Sequence, residues 1–296
     1  MNEDKISVII PYYHGSRYLP AIAEMMEKNA SSLRNAGFKE TLELILVNDS
    51  PEEELVFPEG NYAFSYSVVC MEKNSGIHAA RLKGLAESKG TCILFLDQDD
   101  LIADDFFARQ LKTLGEGAAA ISNGFLEGSD GSKKKIFRNS YELERVNDKR
   151  IYLYSHNVIK SPGQVLIRKD HIPAEWAAGI ISRNGSDDLL LWLLFLNAGD
   201  RFQTEPECLY THVYTGENLS EEKLEMTRSS LEVYDILKES ADFPEKDLKI
   251  LKRSRELGIR LSESNTLKKM VLLLKNADIV IPRIFWKTKT LLLGNK

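Results

Sequence analysis

Residues 91–100 read TCILFLDQDD, an apolar segment that runs directly into three carboxylates, Asp97, Asp99 and Asp100. An apolar run of this length is typical of a buried strand. Carboxylates this close together repel one another unless a positive charge lies nearby. The segment therefore predicts a strand whose end binds a cation, or a short acidic turn that caps the next helix through Asp99 or Asp100.

Strand and helix patterns alternate before this segment. Strands are predicted in ISVIIP, LELILVND and YSVVCM, and a helix in HAARLKGLAESKG. Parallel neighbours need crossover connections, so the alternation predicts a mainly parallel α/β sheet with helices on both faces. Ligands of such sheets bind beyond the carboxyl ends of the strands. The polar residues that follow the four strands should therefore meet in one crevice. They are Tyr12, Tyr13, His14, Asn48, Asp49, Asn74 and the acids from Asp97 to Asp100.

Further elements follow the acidic cluster. Residues 101–121 predict a helix and then a strand, PGQVLIRKD predicts another strand, and LEGSDGSKKKIFRNS predicts a hairpin or surface loop with a basic tip. NGSDDLLLWLLFLNAGD predicts a helix that begins after Ser186 and stops at Gly199, with Asp187 and Asp188 in its first turn.

Composition excludes several classes of protein. The chain has 296 residues and a net charge of −5, and its hydrophobic and charged fractions are those of an ordinary globular protein. The negative charge argues against a nucleic-acid partner. Cys70, Cys92 and Cys208 form neither a disulfide framework nor a metal motif, so we expect buried free thiols in a reducing, cytoplasmic compartment. The N-terminus lacks the apolar core of a signal peptide.

The C-terminal segment differs from the rest in charge. Residues 266–296 carry a net charge of +6, whereas the preceding residues carry −11. Pro282 interrupts the apolar pattern before it could span a bilayer. Either a peripheral contact with the inner face of the cell membrane or packing on the rest of the chain would explain the segment. Four of its apolar residues fall on helical spacing among lysines: Leu267, Met270, Val271 and Leu274.

Four segments resemble the family 2 glycosyltransferases, an inverting family with the GT-A nucleotide-sugar-binding fold. They are SVIIPYYHGSRYL, LELILVNDSPEEE, KNSGIHAARLKGLAESKG and ILFLDQDD. The resemblance is close over residues 6–107 and weaker to residue 220. It implies a GT-A domain at residues 1–220, with a nucleotide-binding half at 1–107 and an acceptor-side half at 108–220. A helical, basic extension at residues 221–296 would follow.

The resemblance implies which residues bind the nucleotide. Pro11 and Tyr13 would border the base. Asp49 would accept a hydrogen bond from the base edge, as a carboxylate can from an imide N–H. Arg81 would lie near the nucleotide, unless it belongs to a solvated helix face, and Asn74 would do so unless it caps its own turn.

The resemblance also assigns a metal to the acidic cluster. Asp99 would bind Mg²⁺ or Mn²⁺ and bridge it to the diphosphate, and Asp97 would contact the ribose or the metal. Farther on, LYTHVYTGENLS resembles a family segment with an imidazole on the metal or phosphate side. His212 fills that position in one alignment, and Tyr214 fills it in the other.

Two positions depart from the family pattern. The usual Asn after the first-strand aromatic residue is His14 here, and the first acid of the usual Asp pair is Asn48. Base preference could differ for this reason, although Asp49 is retained. A structural hydrogen bond in a loop is the expected role of His14.

The resemblance supplies a general base as well. Inversion is a single displacement, so the acceptor hydroxyl needs a positioned base. Asp188 matches the usual Asp and is the expected base, with Asp187, which replaces the usual Glu, as its orienter or alternate. The helix macrodipole alone would also favour two acids in this first turn.

Together these residues imply a metal-dependent inverting glycosyltransferase with a nucleoside-diphosphate sugar donor, UDP-sugar being the commoner class. The acceptor would be a saccharide or lipid-linked hydroxyl in cell-surface polysaccharide or glycolipid synthesis. Both a monomer and a homodimer are compatible with the sequence. A nucleotidyltransferase would carry a Gly-rich phosphate loop after its first strand, which PYYHGSRYL is not. A non-catalytic nucleotide-sugar-binding protein would not need the paired acids Asp187 and Asp188.

Overall fold

The computed structural model describes residues 5–183, 185–216 and 223–293. The chain divides into two compact units, each assembled from several stretches. The first unit comprises Met1–Phe137, Ile159–Ile172 and Asp200–Glu217, and the second comprises Arg138–Val158, Pro173–Gly199 and Asn218–Lys296. The predicted boundary between residues 220 and 221 lies outside the described residues. The division at residue 107 stays a prediction.

The first unit contains one mixed sheet, which has nine strands over the described residues. Its order is β3-β2-β1-β4-β8-β6-β9-β5, with β7 paired to β6. The four strands predicted before the acidic cluster are parallel neighbours, which confirms that part of the prediction. The strands are β1 (Lys5–Tyr12), β2 (Thr41–Asn48), β3 (Ser65–Cys70), β4 (Cys92–Phe95), β5 (Leu101–Ile102), β6 (Ala119–Glu127), β7 (Lys133–Lys135), β8 (Val165–Arg168) and β9 (Phe202–Val213).

Helices cover both faces of this sheet, as predicted. They are α1 (Leu19–Asn35), α2 (Ile77–Glu87) and α3 (Phe106–Leu114). Side chains of a strand alternate between faces, so Val8 and Ile10 of β1 join the buried residues of α1 and α3 in one core. Ile9 faces α2 instead, where a Cβ on Gly84 would lie 2.3 Å from its Cγ2 atom. The glycine therefore lets α2 pack directly against β1.

The second unit is helical over its described residues. Helix α7 is apolar around its whole circumference and buried, as expected for a helix without a polar face, and it packs against α5, α6 and α8. It begins after Ser186 and is followed by Gly199 with φ +94°, both as predicted. The helices are α4 (Ser140–Glu144), α5 (Lys149–Tyr154), α6 (Ala174–Ala178), α7 (Asp187–Asn197), α8 (Lys223–Leu237), α9 (Glu245–Ser262), α10 (Thr266–Lys275) and α11 (Ala277–Leu293).

Local predictions differ from the structure at three places. The predicted hairpin forms, but Lys133–Lys135 lie in its exposed strand β7 and not at its tip, because Asp130 and Gly131 supply the turn. Pro282 lies inside α11 and does not end it. It removes a single backbone bond of the helix, the one to the Asp278 carbonyl, and the helix continues on both sides. Cys70 is exposed on the edge strand β3, whereas Cys92 is buried as expected. Within the described residues, no helix is both long and apolar enough to cross a membrane.

Candidate functional site

Asp97 is neutralised by a buried arginine. The Arg81 Nη2 atom donates to Asp97 Oδ1 at 2.5 Å, and the Ser161 hydroxyl donates to Oδ2 at 3.3 Å. Arg81 is only 3% exposed, because its side of α2 faces the protein interior. The alternative that Arg81 belongs to a solvated helix face is therefore wrong. Its contact is with the acid cluster at the end of β4.

Asp99 is a carboxyl group in an unfavourable environment for a negative charge. Burial, followed by the charges of Asp100 and Asp97, raises its pKa to about 7. The contribution of Asp100 and Asp97 is the mutual repulsion that the sequence TCILFLDQDD predicts. A divalent cation beside Asp99 would favour the ionised form and remove the conflict.

Asp100 supports a histidine and caps no helix. It is 1% exposed and accepts hydrogen bonds from the Tyr210 hydroxyl, from His212 Nδ1 at 2.9 Å and from the Val213 N–H at 3.2 Å. Burial and the charge of Asp100 hold the pKa of Tyr210 well above its usual value, so the hydroxyl keeps the proton that it donates. The residue that precedes α3 is Asp105. The capping alternative for Asp100 is therefore wrong.

His212 presents one unpartnered nitrogen. In the neutral tautomer whose Nδ1–H donates to Asp100, Nε2 is the nitrogen with the lone pair. Nε2 is buried and has no hydrogen-bond partner among the described residues. Metal-binding histidines commonly hold a carboxylate on the other nitrogen in this way. Of the two aligned candidates, His212 is the one that contacts the acidic cluster. Tyr214 packs edge-on against the His212 ring, with the ring centroids 5.2 Å apart.

Asp49 holds the turn that leads into α2. Its two carboxylate oxygens accept the backbone N–H groups of Ser75 at 2.7 Å and of Gly76 at 2.8 Å. Gly76 has φ +87°, a conformation that favours glycine. Asn74 is exposed, and the side-chain bond within the turn joins Ser75 Oγ to the Lys73 carbonyl. The contact between Asp49 and the nucleotide base stays a prediction. It is compatible with the turn, since each carboxylate oxygen keeps a lone pair that a second donor could use.

Gln98, which sequence reasoning missed, ties the acid cluster to the loop after β1. Its side-chain amide accepts from the Tyr13 N–H at 3.0 Å and donates to the Tyr13 carbonyl at 2.9 Å. The Tyr13 side chain is half exposed. Pro11 lies beyond Ile9, the last β1 residue in the pairing with β4, so its missing N–H removes no ladder bond.

Both departures from the family pattern stabilise one loop. His14 has φ +46° and binds Glu53 through Nδ1 at 2.8 Å, which confirms its structural hydrogen bond. Asn and His are both enriched in this left-handed region, which explains why one can replace the other. Asn48 donates to the Glu53 carbonyl and accepts from the Ser50 N–H. The substitutions therefore shape the segment after β2.

In the second unit, Asp187 and Asp188 occupy the first turn of α7. Asn157 donates to Asp188 Oδ2 at 2.6 Å, and the Leu189 N–H donates to Oδ1 at 2.7 Å. Trp176 donates to the Asp187 carbonyl at 2.8 Å. Asp188 keeps 9% of its surface exposed, against 1% for Asp187. Asp188 is thus the acid that a reactant can reach more readily.

Two arginines of the C-terminal helices hold the segment that leads to Asn157. Arg255 donates to the carbonyls of Tyr152 and Ser155 at 2.6 and 2.5 Å, and Arg283 donates to that of Tyr154. These carbonyls end α5, where the helix dipole favours a cation. Burial, and then the charge of Arg283, lower the pKa of Arg255 to about 9. Helices α9 and α11 therefore brace the residues beside Asp188.

The resemblance predicts Asp188 as the general base. On that prediction Asn157→Ala should lower kcat about 10- to 100-fold, because misplacing a catalytic group costs about that much. The acidic limb of the pH–rate profile should move to higher pH, since the carboxylate loses an N–H donor. Asn157→Asp should be worse, because it places a second carboxylate beside Asp188. The matched control is Asn276→Ala, which removes a side-chain bond to the Leu272 carbonyl. An unchanged pH profile in Asn157→Ala would leave Asn157 with a structural role alone.

The family model described as Glycosyl transferase family 2 matches residues 7–173, more than half of the chain. The chain belongs to glycosyl transferase family 2. This assignment confirms the predicted family and favours it over the nucleotidyltransferase alternative. The matched range covers β1 to β4, the acidic cluster and Ser161.

Relatives of this family 2 chain include GgaB of Bacillus subtilis, a minor teichoic acid biosynthesis protein. It is 31% identical over 172 residues, which are 55% of this chain and 18% of GgaB. The chain spans less than half the length of the curated relatives that it matches at more than 30% identity.

Two solved structures show the same fold. A fragment of S. aureus TarS in complex with UDP-GlcNAc has a TM-score of 0.56 at 15% identity, covering 90% of this chain and 78% of that one. The mannosyltransferase PcManGT of Pyrobaculum calidifontis, in complex with GDP-Man and Mn²⁺, has a TM-score of 0.51 at 15% identity, covering 98% and 85%. The chain therefore has the predicted α/β GT-A fold with a helical C-terminal region.

Proposed function

We propose that the protein is a metal-dependent inverting glycosyltransferase that moves a sugar from a nucleoside diphosphate, preferably UDP, to an acceptor hydroxyl. The observation that carries this proposal is the acid cluster after β4, where the raised pKa of Asp99 and the unpartnered Nε2 of His212 occur together. A carboxyl group whose pKa is raised by burial and by neighbouring acids, beside a buried imidazole nitrogen without a hydrogen-bond partner among the described residues, suits a divalent cation. The UDP-GlcNAc complex of TarS supports the donor class.

The residues present fit Mg²⁺ or Mn²⁺, with Asp99 as the principal ligand and Asp97 and His212 as further candidates. Within the described residues, no group of three or more His, Cys, Asp or Glu side chains is arranged to hold a metal. Mg²⁺ commonly takes one or two carboxylates and completes its shell with substrate phosphates and water. The bound ion would offset the charge of the departing nucleoside diphosphate.

The first unit would bind the donor. Asp49 would accept a hydrogen bond from the base, and Pro11 and Tyr13 would border the base. Arg81 would act on the nucleotide side by holding Asp97, and Asn74, which is exposed, remains available for a direct contact. The turn fixed by Asp49 would give the base a rigid edge.

Asp188 is the proposed general base. Asp188 would accept the proton of the acceptor hydroxyl as that oxygen forms its bond to the anomeric carbon. Asn157 holds Asp188, and the buried Asp187 would act as its orienter. The nucleoside diphosphate leaves with the electrons of the broken bond, which gives inversion in one step.

The acceptor would be a cell-surface polymer or its lipid-linked precursor. The teichoic acid biosynthesis assigned to GgaB supports this class. Synthesis from cytoplasmic nucleotide sugars would place the enzyme at the inner face of the cell membrane.

A thermal-shift screen of UDP-, GDP- and dTDP-sugars, with and without Mn²⁺, tests the proposed donor. One donor at about 100 times its Kd should raise Tm by roughly 5 °C, and only with the metal. The same donor should then be consumed when an acceptor extract is added. Flat curves for every donor would contradict the proposal. Stabilisation without any consumption would favour the non-catalytic nucleotide-sugar-binding alternative.

A further inference from the structure

Helix α10 carries its apolar stripe on the outside. Its side chains at positions i, i+3, i+4 and i+7 are between 44 and 76% exposed. The opposite side of the helix is anchored by Leu272, which packs with Leu257 and Ile279 in a small core. A helix of a soluble domain normally buries its wider apolar stripe, so this arrangement is inverted. The four exposed side chains are Leu267, Met270, Val271 and Leu274.

Helix α11 repeats the pattern. Ile281, Ile284, Phe285 and Leu292 are each more than half exposed, whereas Ile279 is buried. Among the described residues, nine of the fifteen large exposed hydrophobic side chains lie on these two helices. Apolar surface concentrated in this way usually marks an interaction site.

The charge around these stripes is positive. Lys268, Lys269, Lys275 and Lys287 are exposed on the same two helices. Residues 266–296 contain one acid, Asp278. It accepts hydrogen bonds of 2.7 and 3.0 Å from the Arg253 guanidinium. Within the described residues of α10 and α11, no other acid is present to pair with these lysines.

A groove of about 460 Å³ lies between the end of α9 and α10. Cationic and apolar side chains meet along it, a combination that suits an anionic head group with an attached acyl chain. One acid, Glu263, also lines it. The cationic and apolar lining residues are Arg260, Lys268, Lys275, Leu267 and Val271.

We propose that α10 and α11 form a docking surface for the anionic lipid face of a bilayer. The apolar stripes would enter the boundary between head groups and acyl chains, and the lysines would meet lipid phosphates. A second copy of the chain fits less well, because a twofold contact through this surface would set like charges against each other. The inference deepens the proposed location of the enzyme. Bilayer binding needs no substrate, so its failure would leave the transferase proposal standing.

Vesicle co-sedimentation of the full chain tests this surface. We expect binding to phosphatidylcholine vesicles that contain about one quarter phosphatidylglycerol, and at least about tenfold weaker binding to phosphatidylcholine alone. About 0.5 M salt should weaken the binding by a similar factor, because it screens the lysines. Equal binding to both kinds of vesicle would contradict the anionic part of the proposal.

Matched variants distinguish binding through α10 and α11 from non-specific hydrophobic adsorption to vesicles. Leu267→Glu with Leu274→Glu, and separately Lys268→Glu with Lys269→Glu, should each weaken binding at least about tenfold. Val56→Glu and Ile180→Glu change equally exposed apolar residues elsewhere and should have no effect. Circular dichroism and Tm would show that each variant folds. A dimer in solution that the leucine variants dissociate, with no vesicle binding, would overturn the proposal.

Discussion

Asp188→Asn should lower kcat by about a thousandfold while the protein stays folded and binds its donor. An amide has nearly the same shape as the carboxylate but cannot take up a proton, and a positioned general base contributes about 10²- to 10⁴-fold. The surrounding contacts should survive, because the amide oxygen can still accept from the Leu189 N–H or from Asn157. The measurement is sugar transfer at saturating donor, with donor affinity from the thermal-shift assay.

The matched control for this variant is Asp148→Asn. Asp148 caps α5 in the same unit by accepting from the Arg150 N–H, and Asn is an equally good capping residue. Its activity should therefore stay within about twofold of the wild type. Asp187→Asn completes the set. If Asp187→Asn loses activity and Asp188→Asn keeps it, the assignment of the base is reversed.

The parallel half of the fold could be predicted because its signals are local. Strands β1, β2, β3 and β4 are short apolar runs separated by a helical pattern or by turn residues, and their pairing follows from the crossover rule. The two-residue strand β5 and the three lysines of β7 carry no such period. Strand β5 pairs with β9, which is more than a hundred residues away. Strand β7 is the second arm of a short hairpin with β6, but its three lysines do not mark where that arm begins.

The candidate site was predictable only where a motif names the residue. Asp49, Asp97 and Asp99 come from the resemblance, but the burial of Arg81 depends on which side of α2 meets the protein interior. The contact between Asp100 and His212 joins residues more than a hundred positions apart. No local period signals such a contact.

The same limit applies to the support of Asp188. Asn157 has no sequence signature, and Arg255 reads as one more cation on a charged helix. Its role in holding the end of α5 depends on the packing of α9 and α11 against α5, which no local pattern indicates. The compact units explain this outcome, since each is assembled from chain segments that are separated in sequence.

Asp99→Asn should change how the metal-free protein responds to pH. In the folded state Asp99 has a pKa of about 7, against 3.8 for an ordinary aspartate, so the folded protein binds more protons between those values. The free energy of unfolding therefore falls as pH rises through this window. In the presence of a chelator, the wild type should lose roughly 1 to 2 kcal/mol relative to Asp99→Asn between about pH 5.5 and pH 8.

The same substitution should remove metal-dependent transfer. Without the Asp99 carboxylate, Mn²⁺ should no longer raise Tm, and kcat/KM should fall about a thousandfold, equivalent to roughly 4 kcal/mol of transition-state stabilisation. The control is Asp104→Asn, an exposed acid whose nearest cation is Lys28 at 3.8 Å, and it should leave both measurements unchanged. The two readouts separate the causes. If the wild type and Asp99→Asn show the same pH dependence of stability in chelator, and the variant still loses its activity, then Asp99 binds the metal but does not have the predicted pKa. If Asp99→Asn keeps its activity and its rise in Tm with Mn²⁺, the metal is bound by other residues. The proposal requires a negative charge at this position, and an amide has none.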